Sequence, residues 1–262
     1  MRAKKSYGQH FLRNEQITED IAKSLLFSQS TDNVLEIGPG KGMLTKYLLK
    51  MPFEFKAVEA DEDMVFYLRK HFPEAAENII YYDFMKLNLP QVFDGEPFSI
   101  IGNFPYNISS QILFRMLDVR ELVPELVGMF QKEVAQRIVS GPGSKAYGVI
   151  SVLIQAYYNG TYLFEVDKSE FDPPPKVQSA VIRLERKDNQ DLGCNPKLFK
   201  SIVKQSFSQR RKMLRNTMKT HIKGHPFLQE EFFKQRPEEL SVEDFVWLTQ
   251  KIEAIKAEDQ DQ

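Results

Sequence analysis

Asn33-Val34-Leu35-Glu36-Ile37-Gly38-Pro39-Gly40-Lys41-Gly42 is a short apolar run that stops in a loop with glycine at every second position. Such a run, bounded by glycines, reads as a buried strand ending in a tight turn. A helical pattern over 43–49 follows it. Outward from this unit the alternation repeats: strand-like runs fall at 55–59, 78–83, 98–103 and 126–131, and helical patterns at 17–26, 63–71, 110–117 and 132–139. Strands alternating with helices build βαβ units, a parallel sheet and right-handed crossovers. Two later strand-like runs, 162–166 and 179–185, are joined through Asp172-Pro173-Pro174-Pro175, which leaves no room for a crossover helix. They are expected as an antiparallel pair closing one edge of the sheet. A polar stretch over 187–196 precedes helical patterns alone, at 198–207, 211–221 and 242–255. The expected architecture is an α/β domain over 1–190, with a seven-stranded, mostly parallel sheet, and a small all-helical domain over 191–262.

The loop's spacing narrows its ligand. In open α/β sheets this position is the ligand crevice, beside the positive end of a helix. A P-loop would need G-x-x-x-x-G-K-S/T, which is absent, and a dinucleotide fingerprint would need its third glycine at Met43. The observed E-x-G-x-G-x-G, with Gly38 and Gly40 at its centre, suits S-adenosylmethionine better. That molecule has no pyrophosphate, only an adenosine joined to a zwitterionic amino acid. Glu59 ends the second strand-like run, where a carboxylate can accept both ribose hydroxyls, and Asp61 competes for that role. Asp83 ends the third, placed to accept from the adenine amino group. A tight turn alone would explain the glycines, and surface caps the acids. Their order at successive strand ends favours a nucleoside site.

The fourth strand-like run ends in Asn103-Phe104-Pro105-Tyr106. The chemistry of methylating an amine conjugated to a ring explains these residue types. The lone pair of adenine's exocyclic nitrogen is delocalised. The Asn103 oxygen and a neighbouring backbone carbonyl can accept its two N–H bonds, favouring a pyramidal nitrogen. Pro105 removes a competing donor and fixes the turn. Tyr106 offers a face for an extruded base, worth roughly 1–3 kcal/mol. Transfer from a sulfonium is an in-line displacement in which positioning outweighs a strong base. No metal-ligating or Ser/His/Asp constellation accompanies the tetrad, and no metal is expected.

Composition excludes other classes. No apolar run is long enough to span a membrane, and no signal-peptide pattern follows the basic start. One cysteine, Cys194, permits no internal disulfide and suits a reducing cytoplasm. The net charge of −1 argues against a nucleic-acid partner only until it is divided. Residues 1–13 carry Arg2, Lys4, Lys5 and Arg13 and no acid. Residues 195–223 carry nine cations and no acid, among them Lys200, Lys204, Arg210, Arg211, Lys212 and Arg215. Such blocks attract phosphate backbones. A helical reading puts Lys200, Lys204, Arg211 and Arg215 on one face, unless a break near Ser208-Gln209 divides it. Trp247 and the pair Tyr157-Tyr158 are expected as packing residues, and His71 and His221 as ordinary neighbours of helix ends.

Over nearly its whole length the chain resembles the bacterial small-subunit (16S) ribosomal RNA adenine dimethyltransferases of the KsgA/RsmA type. The matching blocks are 5–12 (Lys5-Ser6-Tyr7-Gly8-Gln9-His10-Phe11-Leu12), the glycine loop, the Asn103–Tyr106 tetrad, 131–137, 141–148 (Gly141-Pro142-Gly143-Ser144-Lys145-Ala146-Tyr147-Gly148), 171–179 and 207–212. The resemblance implies a Rossmann-like class I methyltransferase fold. It also implies transfer of two methyls from S-adenosylmethionine to each of two adjacent adenosines near the 3′ end of 16S rRNA, within the 30S subunit. It assigns His10, Leu12, Gly38, Glu59, Asp83 and Asn103 to the cofactor, His10 and Leu12 through their backbones. From its own position His10 would read as a tail residue. Phe171 would sandwich the target adenine against Tyr106. Phe104 departs from the family's commoner Leu, an apolar exchange. The basic arm and the cationic block would contact rRNA, with a monomer expected. A 23S rRNA adenine methyltransferase of the macrolide-resistance type shares the glycine loop and tetrad, a DNA adenine methyltransferase shares the tetrad, and a non-catalytic 30S assembly factor is the alternative outside enzymes.

Overall fold

The computed structural model describes residues 9–26 and 31–260, so Arg2, Lys4 and Lys5 of the basic arm and residues 5–8 of the first matching block lie outside the described residues. Nine strands and nine α-helices are described. In chain order they are β1 (Phe11–Leu12), α1 (Glu15–Lys23), β2 (Asn33–Ile37), α2 (Thr45–Leu48), β3 (Glu54–Glu59), α3 (Glu62–His71), β4 (Ile79–Tyr81), β5 (Ser99–Asn103) and α4 (Ser109–Asp118). There follow β6 (Glu125–Gln131), α5 (Lys132–Val139), α6 (Val149–Gln155), β7 (Tyr158–Val166), β8 (Phe171–Asp172), β9 (Ser179–Arg186), α7 (Pro196–Phe207), α8 (Leu214–Met218) and α9 (Val242–Gln260).

Seven strands form one sheet in the order β4-β3-β2-β5-β6-β9-β7. The five from β4 to β6 are parallel, while β9 runs antiparallel to β6. The expected late pair, β7 and β9, are neighbours at that edge. Parallel strands covered on both faces need near-continuous apolar sequence. In β6 every residue from Glu125 to Phe130 is buried, and Leu35, Ile100 and Ile101 are fully enclosed. Winding reverses between β2 and β5. The loops after Ile37 and Asn103 therefore open side by side at the strands' C-terminal ends, the point where such sheets bind ligands.

Caps set the helix starts. Asn14 accepts from the Ile17 amide at 3.1 Å, Asp61 from Asp63 at 3.1 Å, and Asn195 from Lys197 at 2.9 Å with Pro196 in the first turn. The ladder between β1 and β8 was not legible in the sequence: two residues each, paired antiparallel as Phe11↔Asp172 and Leu12↔Phe171.

The chain divides into two compact units. The first holds the sheet, with residues 159–186 joining those up to Ala135; the second comprises 136–158 and 187–262. The segment 136–158 thus departs from the expected division at 190, for a local reason. Gln155 Nε2 donates to the carbonyls of Ile138 and Ser140 (2.9 and 2.8 Å), Lys187 Nζ to that of Gln155 (2.6 Å), and the Gly143 amide to that of Glu238 (2.7 Å). In the second unit the helical pattern over 211–221 shrinks to α8, and Phe199, Ile202, Phe233, Phe245 and Leu248 form buried packing. Tyr157 and Tyr158 are buried, but Trp247 is 36% exposed, on the rim beside Phe232 (ring centroids 4.7 Å), not in the core. No helix among the described residues is long and apolar enough to cross a membrane.

Candidate active site

A cavity of about 560 Å³ opens beside the glycine loop, within the range of small-molecule sites. His10, Leu12, Gly38, Gly40, Glu59, Asp83, Asn103, Phe104, Pro105 and Tyr106 all line it, so one cavity gathers every expected cofactor residue and the whole tetrad.

The glycine pattern has two physical causes. Gly38 and Gly40 hold φ of 66° and 57°, the left-handed region that side chains disfavour, and both face the cavity. At Gly42 a side chain would also meet a neighbour: a Cβ there would lie 2.3 Å from the Phe72 ring. The third glycine serves packing.

Glu59 is buried at the end of β3. One oxygen accepts from the Gly40 amide at 3.0 Å and the other from the Asp61 amide at 2.9 Å. Burial pushes its pKa up, and these amides partly offset the shift. The Ala60 amide adds to that offset, and the carboxylate lines the cavity. Asp61, the competitor, faces elsewhere: its carboxylate caps α3 and accepts from Gln9 Nε2 at 3.0 Å, and it does not line the cavity. Asp83 is exposed at the rim, where Oδ1 accepts from the Met85 amide at 2.9 Å.

Asn103 ends β5, and its Nδ2 donates to the His10 carbonyl at 3.1 Å. That bond fixes which way the amide faces and leaves Oδ1 as an acceptor. His10 is held in turn by Nδ1 against the Pro173 carbonyl at 2.8 Å and by the β1–β8 ladder. Residues 163 positions apart thus place it, which is why its own neighbourhood gave no signal. Tyr106 is anchored by its hydroxyl against Ser179 Oγ at 2.5 Å, a partner sequence reasoning missed although Ser179 closes the 171–179 block.

Phe171 does not stand opposite Tyr106. Its ring is 1% exposed, packed with Leu12, Ile21, Val166 and Val181, and it does not line the cavity. Pairing with Leu12 draws the ring into the core, where enclosing an aromatic side chain stabilises by about 1.5–3 kcal/mol. The ring stacked on Tyr106 is that of His10, with centroids 5.5 Å apart and planes at 28°. Glu36 opens the E-x-G-x-G-x-G pattern and also lines the cavity. It is 1% exposed, accepts from Thr45 Oγ1 at 2.6 Å, and burial, with Glu59 nearby, pushes its carboxyl up to about 8.

The ribosomal RNA adenine dimethylase model matches residues 1–245. This chain belongs to the ribosomal RNA adenine dimethylase family. Over 254 residues it is 52% identical to the ribosomal RNA small subunit methyltransferase A of Bacteroides fragilis, covering 97% of this chain and 93% of that one. The crystal structure of a dimethyladenosine transferase from Plasmodium falciparum superposes with a TM-score of 0.79 at 26% identity, covering 94% and 98% of the two chains. The 23S rRNA methyltransferase ErmE aligns with a TM-score of 0.70 at 22% identity over 93% and 99%, a likeness of fold alone.

In this adenine dimethylase the cationic block does not form one face. Residues 208–213 separate α7 from α8. Arg210 is committed within its own unit: Nη2 donates to the Ser144 carbonyl at 3.2 Å, and Nε stands 3.9 Å from Glu238. Arg215 is half-buried, with its Nε enclosed and unpartnered. Lys200 is also half-buried, whereas Lys204, Arg211 and Lys212 are exposed. Among the described residues no group of three or more His, Cys, Asp or Glu could hold a metal ion.

Proposed function

We propose that this rRNA adenine dimethylase acts on 16S rRNA within the 30S particle, as a cytoplasmic monomer. It would place two methyl groups on the exocyclic amine of each of two adjacent adenosines near the 3′ end. The observation that carries the reading is Asn103: its amide nitrogen is spent on His10, so its oxygen is left to accept beside the glycine loop and Tyr106.

The cavity's donors and acceptors fit S-adenosylmethionine. The Glu59 carboxylate, which lines the cavity, matches the ribose hydroxyls as an acceptor, and the second oxygen of Asp83 matches an adenine amino group. The positive-φ backbone at Gly38 and Gly40 admits a ligand closely, and the backbones of His10 and Leu12 close the other side. When bound there, S-adenosylmethionine supplies a methyl group carried on a sulfonium. The protein's task is to orient the amine. Asn103 Oδ1 and the main-chain carbonyl beside it accept the two N–H bonds, turning the nitrogen's lone pair towards the methyl. Tyr106, held by Ser179, presents the ring on which the base stacks. Exposed Lys204, Arg211 and Lys212 would contact phosphates of the helical RNA-contacting unit's partner, with Lys200 and Arg215 in support and Arg210 acting through the 141–148 loop it holds.

The test is incubation with labelled S-adenosylmethionine and 30S subunits that lack the modification. Dimethyladenosine in 16S rRNA is expected. Label confined to 23S rRNA or DNA, or none at all, defeats the proposal.

A further inference from the structure

The tetrad's second residue has a seat of its own. Gly102 on β5 and Gly128 on β6 are direct partners across the parallel ladder, so the sheet carries a patch bare of side chains next to the active-site turn. The Phe104 ring lies across that patch. A Cβ on Gly102 would stand 2.8 Å from its Cε1, and one on Gly128 would stand 2.2 Å from its Cε2. The ring is 1% exposed and meets Phe130 edge-on at 5.1 Å, so it has no free space to retreat into. Its own amide donates to the Met129 carbonyl at 3.2 Å, mooring the same residue to β6 by the main chain. Phe104 lines the cavity together with Asn103 and Pro105 on either side of it, while its ring stays buried on the sheet.

We infer that Phe104 is a positioning residue for methyl transfer, its ring seated on the Gly102–Gly128 patch so as to hold the turn that presents Asn103 and Tyr106. The inference rests on the functional reading above. It makes positions 104 and 128 a coupled pair: a large ring at 104 requires glycine at 128, and a smaller side chain at 104 removes the closest of the two rings a side chain there would meet. The two glycines differ in one respect. A Cβ on Gly102 would also stand 2.7 Å from the Ile37 carbonyl oxygen, which is backbone and cannot give way. At Gly128 the nearest obstacles are side-chain atoms, those of the Phe104 and Phe130 rings.

The experiment compares Gly128→Ala, Phe104→Leu, the double variant, and Gly102→Ala with and without Phe104→Leu. With unmodified 30S subunits, Gly128→Ala is expected to lower kcat by about 10-fold or more through displacement of the turn, with KM for 30S changing much less. Adding Phe104→Leu should restore part of that loss, whereas Gly102→Ala should stay slow in both backgrounds. Thermal unfolding supplies a second readout, available even if Gly128→Ala alone folds poorly. Ala at 128 should lower Tm in both backgrounds but clearly less with Leu at 104, because the closest contact, with the far edge of the Phe104 ring, is then gone while the Phe130 ring still stands 2.8 Å away. Effects on kcat and Tm that simply add, or rescue of Gly102→Ala by Phe104→Leu, overturn the coupling. If the unaltered protein transfers no methyl to 30S subunits, the functional reading fails instead, while the non-additivity in Tm still tests the seat.

Discussion

Asn103 carries two duties on one amide, and substitutions separate them. Asn103→Ala removes both the acceptor for the substrate amine and the donor to His10, and should reduce kcat by about 100-fold or more. Asn103→Asp keeps an acceptor but sets a carboxylate against the His10 carbonyl, so it should lose S-adenosylmethionine affinity as well. Isothermal titration beside the methylation assay distinguishes the two. Glu36 makes a prediction about pH. Its folded-state pKa, about 8, lies above the ordinary value of 4.5, because burial and then Glu59 disfavour the charged form. Between those values the folded chain binds more protons than the unfolded one, so stability falls as pH rises and the loss is complete above about 8. Glu36→Gln mimics the protonated group and keeps an acceptor for Thr45. Its Tm should match the parent's near pH 5 and exceed it by a few degrees at pH 8.5. Parallel curves would remove Glu36 as the cause.

Between α7 and α8 the cations divide by what they touch. Arg210 belongs to the structure of the 141–148 loop through Ser144 and Glu238. Its replacement by Ala should cost about 1 kcal/mol, lowering Tm by roughly 2–4 °C. The break at 208–213 falls where the sequence allowed for one, near Ser208-Gln209, and divides the helical face. A 3.6-residue repeat holds only while the backbone stays helical, and Ser208 closes α7 as its C-cap. Likewise the β1–β8 ladder joins segments that no short-range pattern links, and it decides both that His10 reaches Tyr106 and that Phe171 does not.

The whole molecule presents its charge unevenly, which matters for a polyanionic partner. Replacing Lys204, Arg211 and Lys212 together by Ala removes three exposed cations that have no acidic partner among the described residues. Affinity for 30S subunits should fall, and the slope of log affinity against log salt should flatten by about 2–3. Unfolding and S-adenosylmethionine affinity should stay unchanged. An unaltered slope would place the RNA contact elsewhere. Net charge says nothing of this, because −1 averages an acidic body with a cation-only block.

By itself the sequence determined the alternation of strands and helices, the crevice after Ile37, and the residues at strand ends: Glu59, Asn103 and Tyr106. These follow from rules that act within a few residues, namely apolar periodicity, glycine's access to positive φ, and the confinement of polar side chains to the ends of buried strands. Tertiary structure decided the rest. It committed Asp61 to a cap, drew Phe171 into the core, brought His10 onto Tyr106 and tied Arg210 to the 141–148 loop. It also set Phe104 on two glycines from adjacent strands. Each of these depends on which distant segments come into register, a choice made by the free energy of packing the whole chain.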